Sequence, residues 1–267
     1  KRAEKSRPST YWILILLIVI FGGFLRWELI SGSLSWEEYK TLGGSAERST
    51  PIESLSFSEN WTKILLDYPS SDKSHLLSAM LKVSHSTWSF FANAEKVKFS
   101  EFALRLPNFC ASLFSILLVG ILLKNWGFRG AGILCSVLLA MHPWHIERGI
   151  IVGPDGILIF LILINILSIT YTINDQTGKW LSWITFSIVQ FLISYLIPQG
   201  IFIAIGFMIC TIVLVVHKEA NYSNRSFFIN RIIASHALGL AAFSPLLFTN
   251  MIQISEWKKI PTYGYEY

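Results

Sequence analysis

The sequence predicts an all-α polytopic membrane protein, and three observations carry that reading. Hydrophobic residues make up 52% of the 267 residues and charged residues only 15%. The mean hydropathy is +0.50, a value that soluble domains of this size rarely reach. Uncharged runs such as Tyr11 to Phe21 approach the roughly 20 apolar residues that a helix needs to cross a hydrocarbon core about 30 Å thick. The alternating ten-residue segments of a membrane β-barrel do not occur.

About seven spans follow in order, within a single membrane domain covering residues 1–267. The first, Tyr11 to Leu25, follows a basic start (Lys1, Arg2, Lys5, Arg7) and ends in Arg26-Trp27-Glu28 without a small-residue cleavage site. It therefore reads as an uncleaved anchor rather than a signal peptide. The chain opens on Lys1 rather than Met, which predicts further sequence upstream. Apolar runs place the later spans at Leu104 to Leu123, Gly130 to Trp144, Ile150 to Thr172, Trp180 to Ile197, Gly200 to Val216 and Phe228 to Asn250. Pro198-Gln-Gly200 breaks the fifth from the sixth, because proline lacks an amide donor and glycine permits the turn.

Orientation comes from Lys and Arg in the short loops, which collect on the cytoplasmic side. Lys124, Arg129, Lys179, Lys218, Arg225 and Arg231 join the basic N-terminus on one side; the other has Arg148 in its short loops, then Lys258 and Lys259 in the tail. The N-terminus is thus expected in the cytoplasm and the functional face outside, periplasmic if the membrane is a bacterial inner membrane. This asymmetry accounts for the net charge of +5 without a nucleic-acid partner.

The outer side then receives a long segment, residues 26–101, too long to be an idle connection. Trp61, Ile64, Leu65 and Tyr68 recur at helical spacing, as do Leu76, Leu77, Met80, Leu81, Ser84 and Trp88. The pattern predicts amphipathic helices, lying along the outer membrane surface or packed as a cap over the spans. Cys110, Cys135 and Cys210 fall inside predicted spans and read as apolar filler, and no Cys/His metal spacing, Walker motif or dinucleotide-binding motif is present.

Candidate chemistry lies at the outer ends of the spans. The adjacent carboxylates Glu37 and Glu38 can serve as a general base or as oxygen ligands to a divalent metal, or be solvated loop charges. His142, His145, Glu147 and Arg148 close the third span. His and Glu can ligate a metal and Arg can hold a phosphate, although long side chains at a span end also snorkel without further purpose. Asp155 opens the fourth span behind Gly153-Pro154, costly next to hydrocarbon unless paired, and Arg148 is the expected partner. His75 and His85 read as weaker surface candidates, and His236 as a helix-to-helix hydrogen bond.

Taken in order, Glu37-Glu38-Tyr39, the long outer segment, Ser100 to Pro107 (SEFALRLP), the basic turn Lys124 to Arg129, Pro143 to Arg148 (PWHIER) and Gly153-Pro154-Asp155 resemble the GT-C superfamily. The likeness is to the N-terminal seven-helix module of its protein mannosyltransferase and aminoarabinose transferase branch. It covers Trp12 to Asn165 by motif and the later spans by hydropathy alone.

The resemblance implies inverting transfer of a sugar from a polyprenyl-phosphate carrier on the outer face. By that match Glu38 with Glu37 takes the acidic role, as base or metal ligand, and Asp155 is a second acidic site residue. Arg148 would meet the carrier phosphate, and Lys73 and His75 fall where the family often contacts donor or metal. A divalent metal held by Glu38, His145 and Glu147 is the corresponding cofactor expectation.

Two features depart from the family pattern. Its first acidic pair is usually Asp-Glu, and its proline-bearing outer segment appears here as Ser74-His-Leu-Leu-Ser78. Family members also continue through further spans, so a fragment and a reduced relative both fit. A non-catalytic accessory subunit of a larger membrane complex, respiratory or photosynthetic, is the alternative function. The lipid bilayer and a lipid-linked sugar are the partners of the first reading, and other membrane subunits those of the second.

Overall fold

A computed structural model describes residues 8–42, 61, 64, 74–91, 100–174, 180–197, 199–217 and 229–239. Among these, every regular element is a helix. They are α1 (Pro8–Ile30), α2 (Trp36–Thr41), α3 (His75–Phe91), α4 (Glu101–Asn125), α5 (Arg129–Met141), α6 (Pro143–Arg148), α7 (Asp155–Asn174), α8 (Trp180–Leu196) and α9 (Gly200–His217), with residues 229–239 also helical.

Three of the described helices are long and apolar enough to cross a membrane: Thr10–Ile30, Glu101–Asn125 and Asp155–Thr172. The expectation of seven spans is therefore met only in part. The apolar stretches Arg129–Met141, Ser182–Leu196 and Gly200–Leu214 are shorter, and of the seventh predicted span only residues 229–239 fall within the described residues.

Three boundaries differ from the sequence reading, each for a local reason. The third predicted span stops at Met141 because His142 precedes Pro143 and is extended (φ −67°, ψ 120°), as the proline ring requires of its neighbour. Its 13 residues make a helix of about 20 Å. The fourth begins only at Asp155, where the Pro154 carbonyl accepts the first helical bond from Leu158 N–H at 2.8 Å. The first runs on past Arg26 to Ile30.

α4 is the centre of the bundle, packed against α1, α3, α5 and α7. Tyr11 Oη donates to the Gly120 carbonyl at 2.6 Å, and Ser136 Oγ to that of Ile116 at 3.1 Å, so α1 and α5 are each bonded to its backbone. Ser100 caps its start, its side chain accepting from Ala103 N–H. Pro107, inside the helix, cannot donate to the Ala103 carbonyl four residues back. Ser84 Oγ of α3 takes up that carbonyl at 2.5 Å, so the missing donor becomes a docking point. At the far end Gly127, at φ +87°, makes the turn into α5.

α3 is thus a packed element. His75, Leu77, Ser78 and Leu81 are buried, and Trp88 meets Phe102 of α4 at 4.9 Å between ring centroids. Leu77 and Leu81 join Leu104, Val152, Ile157 and Ile193 in a core at the end of the bundle where α1 finishes and α4 and α7 begin. That is the α2 end; the other carries Lys124, whose Nζ sits 3.9 Å from the centre of the Trp12 ring.

Candidate functional site at the α2 end of the bundle

The predicted acidic pair divides at once. Ser35 caps α2 and forms a capping box with Glu38, three residues on, whose carboxylate Oε2 accepts from Ser35 N–H at 2.7 Å. That geometry turns Glu38 inward, where it is 1% exposed, and leaves Glu37 exposed on the outer side of the helix. Glu38 is therefore not the solvated loop carboxylate that one of its sequence readings allowed.

Arg105 meets Glu38 as a two-pronged pair, Nε to Oε1 at 2.8 Å and Nη2 to Oε2 at 2.7 Å. Val152 N–H donates to Oε1 at 2.9 Å, which brings the carboxylate to four hydrogen bonds, about its full capacity. Burial alone would raise the carboxyl, but the hydrogen bonds from Arg105, Ser35 and Val152 and the Arg105 charge outweigh it and hold Glu38 below its ordinary value. A carboxylate so stabilised and so occupied is a poor proton acceptor. Arg105 also donates to the carbonyls of Gly32 (2.6 Å), Ser33 (2.9 Å), Leu29 (3.1 Å) and Ile30 (3.3 Å). It closes the C-terminal end of α1, where free carbonyls favour a cation.

The link between α6 and α7, residues 149–154, lies across this clamp as a strap. Glu38 holds it through Val152, and Asn108 Nδ2 donates to the carbonyls of Ile151 and, at 2.9 Å, Gly153. Gly149 seats against Ser112, whose Cβ and Oγ both lie 2.5 Å from where a Cβ on Gly149 would stand. The two ends of the strap carry Arg148 and Asp155, paired at 3.1 Å with side chains 34% and 42% exposed. The pairing expected from sequence is present, and it is half open to its surroundings.

His145 is 2% exposed and turns toward α1. Its Nδ1 stands 2.8 Å from Arg26 Nη2; a guanidinium only donates, so the imidazole proton sits on Nε2. Burial first, and then the Arg26 charge, push the His145 pKa down to about 4. Arg26 is itself fully buried and donates to the carbonyls of Gly22 (2.7 Å) and Ala140 (3.2 Å).

These placements do not fit the metal expectation. Glu38 is committed to a cation, Arg105, His145 faces another, Arg26, and Glu147 is exposed. Among the described residues no group of three or more His, Cys, Asp or Glu side chains is gathered. His75, the first residue of α3, is buried, its Nδ1 2.5 Å from the Ile64 carbonyl and its ring stacked on Tyr195, and Lys73 lies outside the described residues.

Three residues that the sequence reading gave no role, Arg26, Arg105 and Asn108, organise this end. The signal was present: Arg105 and Asn108 flank Pro107 at helical spacing within an otherwise apolar helix, and a charge in such a setting marks a functional or structural node. Compared with protein-family models, curated proteins and solved structures, the chain matches none.

Proposed function

We propose that the chain is a GT-C-like membrane glycosyltransferase module that moves a sugar from a polyprenyl-phosphate donor to an acceptor hydroxyl. The α2 end would face outward, periplasmic in a bacterial inner membrane, in keeping with the bias of Lys and Arg to the other side. The single observation that supports the reading is the half-open Arg148–Asp155 pair, held on a braced strap at the mouth of long apolar helices.

The pair suits an exchange of partners. A donor phosphate can take the Arg148 fork in place of the Asp155 carboxylate, since Arg binds both through paired N–H donors. Asp155, released from its cation, becomes the better base. It takes the proton of the acceptor hydroxyl while that oxygen bonds to the anomeric carbon, and the sugar–phosphate bond breaks with its electron pair leaving on polyprenyl phosphate. Glu38 acts in this scheme as a positioning residue, and the exposed Glu37 is the second carboxylate available to an acceptor.

Purified full-length chain in nanodiscs, given polyprenyl phosphate and then a radiolabelled polyprenyl-phosphate sugar, tests the scheme. Arg148→Gln should weaken polyprenyl-phosphate binding about tenfold or more, matching the loss of a charge-assisted contact. Asp155→Asn should retain binding and lose transfer. Binding that ignores Arg148, or transfer that survives Asp155→Asn, removes the proposal. One observation favours the accessory-subunit reading, the full engagement of Glu38 in holding the fold. Stoichiometric recovery with other membrane subunits, without turnover, is the outcome that reading requires.

A further inference from the structure

We infer that Asn108 is a positioning residue for Arg148: its amide hydrogens hold the strap, and its amide oxygen receives Arg148 Nε–H once a phosphate has drawn the fork away from Asp155. The inference rests on the reading of Arg148 as the phosphate ligand and adds the group that holds the guanidinium in its second seat.

The orientation of Asn108 is fixed by what it touches. The carbonyls of Ile151 and Gly153 can only accept, so the atom that meets both is the NH2, and the amide oxygen is turned the other way. That oxygen is buried and has no hydrogen-bond partner among the described residues. An unpaired buried acceptor is costly, and a leucine of about the same size would not strand one.

Two more polar atoms are stranded at the same strap. Arg148 Nε is sealed and unbonded, although the side chain is 34% exposed and its Nη1 stands 3.1 Å from Asp155 Oδ2. Ser112 Oγ, fully buried about one turn after Asn108 on α4, is the other. The three residues are neighbours. A Cβ on Gly156 would stand 2.8 Å from the Arg148 carbonyl oxygen and 3.7 Å from Asn108 Cγ, and one on Gly149 would stand 2.5 Å from Ser112 Oγ. The bare backbone at 149 and 156 thus seats Arg148 over the ridge that Asn108 and Ser112 form on α4.

Sealed as they are, these atoms cannot be met by solvent unless the strap or the side chain moves. A donor and an acceptor stranded in one corner are a pair unmade in this arrangement and available to another. The exchange proposed for the phosphate supplies that arrangement. While Asp155 holds Nη1, the guanidinium is drawn toward the start of α7. A phosphate on the two Nη atoms releases Asp155 and lets the guanidinium plane turn. Asn108 Oδ1 then accepts from Nε–H while the fork faces the phosphate, so the planar group is held at both edges. Because Asn108 also carries the strap, one side chain sets the place of the fork and of Asp155.

Isotope-edited NMR of the full chain labelled at arginine, in nanodiscs and with polyprenyl phosphate as the probe, tests the inference. The Arg148 Nε–H signal is the one that Arg148→Lys removes. In the wild type it should move downfield when polyprenyl phosphate binds, as a proton that gains an acceptor does. In Asn108→Leu it should stay in place, and affinity should fall about tenfold or more, as the loss of one charge-assisted hydrogen bond implies. Asn108→Ser, whose hydroxyl ends one bond short of the amide atoms, should give the same result and serves if the leucine chain does not fold. A signal that moves equally in the Asn108 variants, or that stays still in the wild type despite binding, overturns the inference. So does a movement lost in Ser112→Ala alone, which would make Ser112 the acceptor. Binding that ignores Arg148→Gln strikes the phosphate reading instead, and a wild-type chain that binds no polyprenyl phosphate strikes both.

Discussion

Replacing Glu38 by Gln separates a structural carboxylate from a catalytic one. Each oxygen accepts two hydrogen bonds, Oε1 from Arg105 Nε and Val152 N–H, Oε2 from Arg105 Nη2 and Ser35 N–H. Whichever way a glutamine amide is turned, its NH2 meets two donors and loses both bonds. At roughly 1.5–3 kcal/mol for each bond to a charged group, the loss is about 3–6 kcal/mol. The range for breaking one side of a buried ion pair overlaps it, about 3–5 kcal/mol, because Arg105, 5% exposed, keeps its charge without a counter-charge. Equilibrium unfolding in mixed micelles, read by circular dichroism, measures it. Pairing Glu38→Gln with Arg105→Met should recover part of the loss, since the stranded charge is then gone. A Glu38→Gln change below about 0.5 kcal/mol, the range of an ordinary surface substitution, would falsify the assignment of Glu38 to the fold.

Two further outcomes follow from the same end of the molecule. His145, at about 4 in the folded chain against 6.5 when free, binds its proton more readily unfolded; its contribution is complete above pH 6.5 and is lost as pH falls toward 4. The shift corresponds to roughly 3 kcal/mol, and His145→Asn, which keeps an acceptor for Arg26 and does not titrate, should flatten the wild-type loss in unfolding measured between pH 4 and 7. Gly149→Ala places a Cβ 2.5 Å from Ser112 Cβ and Oγ and should cost about 1–3 kcal/mol, seen as a lower denaturation midpoint; an unchanged midpoint means that the strap is not seated there.

The sequence was most legible where composition and period decide the outcome. The long apolar helices stand where hydropathy put them, and in α3 Leu77 and Leu81 are buried, Ser84 bonds α4 and Trp88 meets Phe102. The Arg148–Asp155 pair was legible because two costly charges lay close in sequence. Glu38 was harder: its partner Arg105 is 67 residues away, and nothing local distinguishes a buried capping-box Glu from a solvated one. The end of the third span turned on Pro143 acting on His142, a one-residue effect that an average over a window dilutes. Arg26 looked like the end of a span because a charge beside hydrocarbon marks a border, yet carbonyls from two helices and His145 receive it inside.

The grip of Arg105 on the end of α1 bears on how the chain is made. The carbonyls of Leu29, Ile30, Gly32 and Ser33 receive their donor from a residue more than 70 positions later. When α1 leaves the ribosome its closing partner has not been synthesised, so those groups must stay hydrated until α4 arrives. The first helix is thus held at the water boundary during insertion, and one guanidinium completes α1, α2 and the strap only after α4 and the 149–154 segment are in place. Closure of this end therefore waits for the 149–154 segment to be made, and chains halted before residue 105 should leave α1 open to chaperones and proteases at that boundary.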